Sequence, residues 1–541
     1  MATVFMKWLE TRPGDYDRGI QILTLGRLQG VKERIVRDYV HEGMRVLEIG
    51  CGTGTLTAMM AEQGAAVTAI DASPLMLAEA QKKVSGGRAF QTPVTLEHMD
   101  ATLIADRFPP ASFDLIVSTL VFSELPPDEQ RYVLEACAKL LAPGGRVLIA
   151  DEVNPSRPLA WLFFHLVRWP LVLLTWLLTR TSPATLRDFE ALLVQTGFSV
   201  QRVVSYLGSS LVLFEIRPAK EIHLESELPS TVVGRLEYHT TLRTLLLDVW
   251  TLIFRMIPRH PKMRPGLYAV GHPAADAPVL VTGNYYLTVR RLAQAIDNQV
   301  GAWVLVADSA GINVWCAAGG GHFTAEKIIA AVKSSHLDEI VNHRALILPQ
   351  LSASGVDGWR VREETGWGVH WGPVRAKDIP SYLAAGRKKS DAMRQVSFPL
   401  KDRIEMATAA LVMTELFVFV PTLLFWRHSL WPVIALVAGM LYGYAVIHPW
   451  LPGRNGLLHS ASLILIALAA LFAYVFLWNP PAPQVFNWGV GLTALSVFIT
   501  TQMPGMSPVM RSEEANMRWR AVIGMTLGLA YWLIPLALGW R

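Results

Sequence analysis

Two hydrophobic rhythms divide the 541-residue chain. Up to about residue 386, short apolar runs alternate with stretches of helical period. Beyond residue 404, long apolar runs follow one another with hardly a charge between them. The short runs read as strands: Arg45–Ile49, Ala66–Ile70, Phe113–Ser118 and Arg146–Ala150, then Pro278–Thr282, Ala302–Ala307, Ala345–Leu348 and Gly368–Trp371. Helical patterns between them predict parallel sheets with helices on both faces. The expected organisation is an α/β Rossmann-like domain over 1–217 and a basic, partly helical connector over 218–263. A second α/β domain follows over 264–386, then a basic juxtamembrane linker over 387–403 and an all-α domain over 404–541.

The long runs cover about 404–426, 430–450, 457–478, 484–503 and 521–540. Each is near the ~20 residues that span a bilayer core, which predicts a five-helix transmembrane domain. Arg387, Lys388, Lys389, Arg394, Lys401 and Arg403 precede the first span. Arg427 lies in the first loop and Arg454 in the second; Asn479 to Pro483, the third loop, has no basic residue; Arg511, Arg518 and Arg520 lie in the fourth. Positive charge collects on the cytoplasmic side. The expectation is a multi-pass protein of the cell inner (cytoplasmic) membrane, with its soluble domains cytoplasmic and its C-terminus outside. Glu415 within the first span is a functional candidate or a residue paired inside the bundle. Leu159–Thr179 is also apolar and Trp-rich, but Pro170 interrupts it and His165 and Arg168 lie inside it. A pair of lid helices on the membrane face is expected there, with a sixth span as the alternative. The opening residues do not have the pattern of a signal peptide.

Composition sharpens the division. Apolar residues make up 52% and charged residues 17%, against about 25% charged in ordinary soluble domains. Residues 404–541 hold ten of the 93 charged side chains and no Lys. A purely soluble enzyme, a disordered chain and a collagen-like fibre are excluded. The net charge of +5 is too mild to argue for nucleic acid, and none is expected as a partner. Cys51, Cys137 and Cys316 are the only cysteines. That is too few for a disulfide framework or for an ordinary iron–sulfur cluster, which takes four thiolates.

The first candidate site is Val46-Leu47-Glu48-Ile49-Gly50-Cys51-Gly52-Thr53-Gly54, an apolar strand entering a Gly-rich turn. Glycines let the backbone approach a ligand, and the helix that follows presents free N–H groups. The next strand ends at Asp71, 17 residues after Gly54, where a carboxylate can accept hydrogen bonds from both ribose hydroxyls. Asp100, after Met99, stands where an adenine amino group would be read. Together with Phe113–Val117 and Leu141–Arg146, this order resembles the class I S-adenosylmethionine-dependent methyltransferases over about residues 40–217. The resemblance implies contacts to S-adenosylmethionine at Glu48, Gly50, Gly52, Gly54, Asp71, Ala72, Asp100 and Ala101. Cys51 reads as a small turn residue and Cys137 as a buried helix residue.

The second candidate site is Gly311-Ile312-Asn313-Val314-Trp315-Cys316-Ala317-Ala318-Gly319, after the strand that ends near Ala307. Asn313 is a good N-cap, which places Cys316 in the first turn of a helix, where the dipole favours thiolate. Gly319 to Gly321 suit a short exposed helix lying against something flat. The stretch from Asn313 to Gly319 resembles the cap-helix signature of the mercury-methylating corrinoid membrane proteins, a family akin to the corrinoid subunit of the acetyl-CoA synthase system. Gly266–Ala269, Val281–Tyr285, His343–Ala353, Gly372–Ala376 and the five-span tail agree with that family over about residues 240–541. This chain departs from it in having Gly320 where the family has a lysine, and in carrying the fused methyltransferase.

That resemblance implies a cobalamin held by Thr282, Gly283, Asn284, Asn313, Val314, Trp315, Cys316, Ala317, Gln350, Leu351, Ser352, Gly372 and Pro373. Cys316 is the implied catalytic residue and the axial ligand to the corrinoid cobalt. The implied reaction moves a methyl group from methylcobalamin to a soft metal ion such as Hg(II), with a ferredoxin-like iron–sulfur protein as the electron donor. The N-terminal domain would load the corrinoid from S-adenosylmethionine. Two other readings stay open: an independent methyltransferase acting on a lipophilic or metalloid substrate, and a cobalamin carrier or sensor.

Overall fold

The structure of the protein is a computed structural model that describes residues 9, 13–85, 90, 92–154, 185–186, 189–206, 210–219, 232–254, 261–296, 299–425, 427, 430–452, 456–502 and 514–538. The apolar segment 159–179 therefore lies outside the described residues, as do Arg454 and Arg511 and the side chains of Glu415, Arg518 and Arg520. The chain forms two compact units. One joins Met1–Tyr238 with Lys262–Lys388, and the other joins His239–Pro261 with Lys389–Arg541.

In the first unit, strands β1 (Arg45–Ile49), β2 (Ala66–Asp71), β3 (Val94–His98), β4 (Phe113–Thr119), β5 (Leu141–Glu152), β6 (Phe198–Tyr206) and β7 (Leu211–Pro218) form one sheet in the order β3-β2-β1-β4-β5-β7-β6. The first five are parallel, and β7 runs antiparallel to β5 and β6. Alternation along the strands builds a core on each face of the sheet. Val46, Val67, Ala69, Leu115, Val117 and Leu148 pack on one side. Leu47, Ile49, Ile70, Ile116, Val147 and Ile149 pack on the other.

A second sheet holds β8 (Val232–Arg235), β9 (Gly266–Val270), β10 (Val279–Gly283), β11 (Ala302–Ala307), β12 (Ala345–Leu348) and β13 (Gly368–Trp371), in the order β13-β12-β10-β11-β9-β8. Strands β10 to β13 run parallel, so their carboxyl ends share one edge. All eight strands expected from the sequence are present, β1, β11, β12 and β13 with the expected limits and the other four with limits shifted by a few residues. Strands β3, β6, β7, β8 and β9 were not anticipated. Edge strands β3 and β6 carry Glu97, His98, Gln201 and Arg202, and so lack the apolar run that marks a buried parallel strand.

The second unit contains the helices Leu242–Phe254, Leu400–Phe425, Leu430–Ile447, Gly456–Trp478, Ala482–Gln502 and Glu514–Ala537. Among the described residues, three stretches are long and apolar enough to cross a membrane: Leu430–Trp450, Leu457–Trp478 and Ala482–Thr501. Several polar groups inside this unit are paired locally. Arg403 donates from Nη1 to the carbonyls of Ala445 and Val446 at 2.8 and 3.0 Å. Tyr444 Oη lies 3.0 Å from His459 Nδ1.

Candidate functional site

The Gly-rich turn closes the carboxyl end of β1. Gly50, Gly52 and Gly54 have φ of +72°, +54° and +75°, the left-handed region that side-chain-bearing residues disfavour. At Gly54 a Cβ would also stand 2.8 Å from that of Ala80, and at Gly50 one would stand 2.2 Å from Val121 Cγ2. A Cβ on Gly52 would meet only Tyr16, at 3.8 Å, so Gly52 faces the open side of the turn. Asp71, at the end of β2, accepts from the N–H of Gly52 and of Ser73, both at 2.8 Å. Ala72 beside it is exposed. Asp100 is half-buried and caps the turn Ala101–Leu103 through Oδ1, which accepts from Thr102 N and Oγ1. Ala101 is buried. Glu48 lies beneath the turn, 1% exposed. Burial pushes its carboxyl up to about 7 against the opposing effects of Thr57 and Lys32. Thr57 Oγ1 donates to it at 2.5 Å, which ties β1 to the helix Thr55–Glu62. Cys51 and Cys137 are buried, and burial raises both thiols.

One part of this site has no sequence signature. Asp17, on the helix Pro13–Leu23, accepts from Thr53 Oγ1 at 2.8 Å and pairs with Lys83, which also donates to Thr53 and Thr55. Burial alone would raise the Asp17 carboxyl, but the hydrogen bonds from Lys83 and Thr53 and the Lys83 charge hold it below its ordinary value. A half-exposed pair of this kind is worth only about 0.2–1 kcal/mol. Its consequence is therefore positional: an N-terminal helix is fastened to the Gly-rich turn. The separation of 36 residues between Asp17 and Thr53 hides the contact from any local reading.

The second set of expected residues gathers at the carboxyl ends of β10 to β13, the edge at which open parallel sheets bind ligands. Asn313 accepts from the N–H of Cys316 at 2.9 Å and caps the helix Val314–Gly319. Val314, Ala317 and Ala318 anchor that helix in the core, Trp315 is half-buried, and Cys316 is exposed. Gly355 packs so close that a Cβ there would stand 2.4 Å from the carbonyl oxygen of Ala318. Thr282 and Gly283 end β10, where a Cβ on Gly283 would strike Ser309 Oγ at 2.6 Å. Asn284 is buried and organises the loop into the helix. Its Oδ1 accepts from Ser309 N, Ser309 Oγ and Gly311 N at 2.8–3.0 Å, and its Nδ2 donates to Asp308 at 2.8 Å. The half-buried Gln350 and Leu351 and the buried Ser352 form a short turn packed on the helix. Gly372 and Pro373, both buried, follow β13, where the Gly372 N–H donates to the Leu348 carbonyl at 2.8 Å. His322, which sequence reasoning did not single out, lies beside this helix: a Cβ on Gly320 would stand 3.3 Å from its ring.

The two sites belong to one compact unit, and the contact between their domains borders both. Leu103, three residues after Asp100, packs on the core of the second sheet. The helix Ala325–Ser334, which follows the Cys316 helix, lies against the helix Pro127–Leu140 of the first domain. Lys333 pairs with Asp106, Ser334 Oγ donates to Asp128 at 3.3 Å, and His336 Nε2 lies 3.3 Å from Glu135. Glu129, 3% exposed, sits in this region. Burial pushes its carboxyl up to about 8; Lys327 opposes the shift, and Asp100, Asp128 and Asp308 add to it. A single carboxyl thus feels Asp100 of the first site and Asp308 of the second.

These two folds have counterparts among known proteins. Residues 46–145 match the family described as a methyltransferase domain. Residues 237–383 match the family described as CO dehydrogenase/acetyl-CoA synthase delta subunit. The second region is similar to the acetyl-CoA decarbonylase/synthase complex subunit gamma of Methanopyrus kandleri, 32% identical over 31% of this chain and 37% of that one. The same subunit of Archaeoglobus fulgidus is 35% identical over 23% of this chain and 27% of its own. The chain therefore spans well under half the length of these two relatives. An uncharacterized methyltransferase of Synechocystis is 29% identical over 41% of this chain and the whole of its own length. Residues 46–145 thus carry a methyltransferase domain on a Rossmann-like sheet, and residues 237–383 are related to the acetyl-CoA synthase subunits.

Proposed function

We propose that the protein is a membrane-bound, corrinoid-dependent methyltransferase in which the N-terminal domain loads a corrinoid from S-adenosylmethionine and the second domain delivers the methyl group to a soft metal ion, Hg(II) in the first instance. The observation that carries this reading is the presentation of Cys316. Its helix is capped by Asn313, rooted in the core by Val314, Ala317 and Ala318, and set at the shared edge of four parallel strands. An exposed sulfur on so firmly held a helix would suit a ligand to the cobalt of a corrinoid, since thiolates are soft, electron-rich donors. When bound, the corrinoid supplies a carrier for a methyl group between an electrophilic donor and a thiophilic acceptor.

The residues of the chain then divide the remaining work. With Cys316, the residues Trp315, Gln350, Leu351 and Pro373 would hold the corrinoid. Asn284 and Ser309 fix the loop that aims the helix. In the first domain, the left-handed turn at Gly50, Gly52 and Gly54 lets the backbone approach S-adenosylmethionine, Asp71 holds its ribose, and Asp100 holds its adenine. The acceptor is a substrate that arrives from outside. Three cysteines, two of them buried, cannot hold a cluster, so electrons come from a ferredoxin-like iron–sulfur partner. The apolar C-terminal helices, with the basic residues before Leu400, support a place in the inner membrane with the soluble domains in the cytoplasm.

The loading step is tested with S-adenosylmethionine carrying an isotopic methyl label. Label is expected on the protein-bound corrinoid of the reduced holoprotein; a label-free corrinoid beside intact S-adenosylmethionine would refute the step. A second reading has one observation in its favour. The N-terminal region matches the whole length of a methyltransferase, and so can act alone on a lipophilic or metalloid substrate. In that case methylation by the full chain continues unchanged in Cys316→Ala.

A further inference from the structure

The helix Leu242–Phe254 precedes the second sheet in sequence, yet it packs on Leu400–Phe425 in the other unit. Its start is fixed by reciprocal caps: Thr244 N donates to Thr241 Oγ1 at 3.2 Å, and Thr241 N donates to Thr244 Oγ1 at 2.9 Å. The two faces of the helix are opposite in chemistry. Thr244, Leu247, Asp248 and Thr251, three and four residues apart, are half-buried or buried against the unit. Leu242, Leu245, Leu246, Val249 and Trp250 repeat the same spacing on the other side and are 48–75% exposed. A helix washed by water has the reverse arrangement, polar outside and apolar inside.

We infer that this apolar stripe lies in the interfacial layer of the bilayer, making residues 242–254 a membrane-surface anchor. Lipid is the occupant that the surroundings favour. The helix it packs on also exposes Phe419, Val420, Leu423 and Leu424, so the same unit presents further apolar surface. No charged residue interrupts the stripe, and Arg243 stands at its start, where a headgroup phosphate can reach it. Thirteen residues make a rod of about 20 Å, short of the ~30 Å hydrocarbon core, so the helix lies along the surface and does not cross it. The chain then meets the bilayer both ahead of Lys262 and after Lys388.

This inference rests on the C-terminal unit being membrane-embedded, and its test separates the two claims. The full-length protein, with Cys316→Ser to remove the exposed thiol, is reconstituted into nanodiscs of phosphatidylcholine and phosphatidylglycerol. It carries either Val249→Cys or, as a reference on Gly456–Trp478, Phe472→Cys, labelled with a small fluorophore. Both labels are expected to lose fluorescence to lipid bearing a doxyl group near the headgroup, and neither to an aqueous nickel chelate. Lipid quenching at 472 with aqueous quenching at 249 overturns the anchor and leaves the membrane domain standing. Absence of lipid quenching at both positions overturns both claims. Quenching at 249 by neither agent, or cross-linking between copies through Val249→Cys, means that protein covers the stripe and also overturns the anchor.

Discussion

Asn284 serves the loop before the Cys316 helix with four side-chain hydrogen bonds while remaining 3% exposed. Asn284→Ala strands the N–H groups of Ser309 and Gly311, and each buried donor left unpaired costs about 1–3 kcal/mol. Chemical denaturation should show a loss of about 2–4 kcal/mol, with Cys316 reacting faster with thiol reagents as its helix loosens. Gly54→Ala meets a different obstacle. A left-handed backbone costs about 1–2 kcal/mol for a residue with a Cβ, and that Cβ would collide with Ala80. Calorimetric titration with S-adenosylhomocysteine should find binding lost or strongly weakened, whereas Gly14→Ala, with open space around it, should bind normally. The Gly-rich turn was legible because its residues are contiguous, and so was the Asn313 cap, three residues from Cys316. Asp17, Lys83 and Glu129 were not, because burial and long-range pairing give them their roles and no local pattern records either.

At the scale of elements, the contact between Pro127–Leu140 and the segment from Ala325 to His336 carries a titratable group. The hydrogen bond with Glu135 raises His336 above its ordinary value; burial opposes it, the charges of Glu135 and Glu339 assist, and Lys139 opposes. A folded-state value raised in this way adds stability that is complete below about pH 6.5, the unfolded value, and that fades as pH rises through the folded value. Thermal unfolding should therefore show the wild type losing stability relative to Glu135→Gln as the pH rises above about 6.5. Equal pH dependence in the two proteins would contradict the assignment. Strands β1, β2, β4, β5 and β10 to β12 were legible as apolar parallel runs, and so was β13 although it is a half-exposed edge strand. Polar edge strands such as β3 and β6 were not, since partners on one side only relax the demand for apolar residues. The helix Leu242–Phe254 could be read as helical, but its place in the second unit depends on packing with residues more than 140 positions away.

For the whole molecule, composition alone separated an α/β part from one of long apolar helices, because a bilayer demands long charge-free runs that no soluble core requires. The order of the soluble part was legible too, from two motifs that each open onto a parallel sheet. What the sequence could not convey is that both sheets belong to one compact unit, with Leu103 and Glu129 of the first domain set against the second. The proposed transfer of a methyl group from one site to the other needs both in one unit. The most direct test of the account is the visible spectrum of purified, corrinoid-loaded protein compared with that of Cys316→Ala, followed by challenge of the methylated forms with Hg(II). The account predicts a changed cobalt spectrum in the variant and methylmercury from the wild type alone. Identical spectra with equal methyl transfer would contradict it.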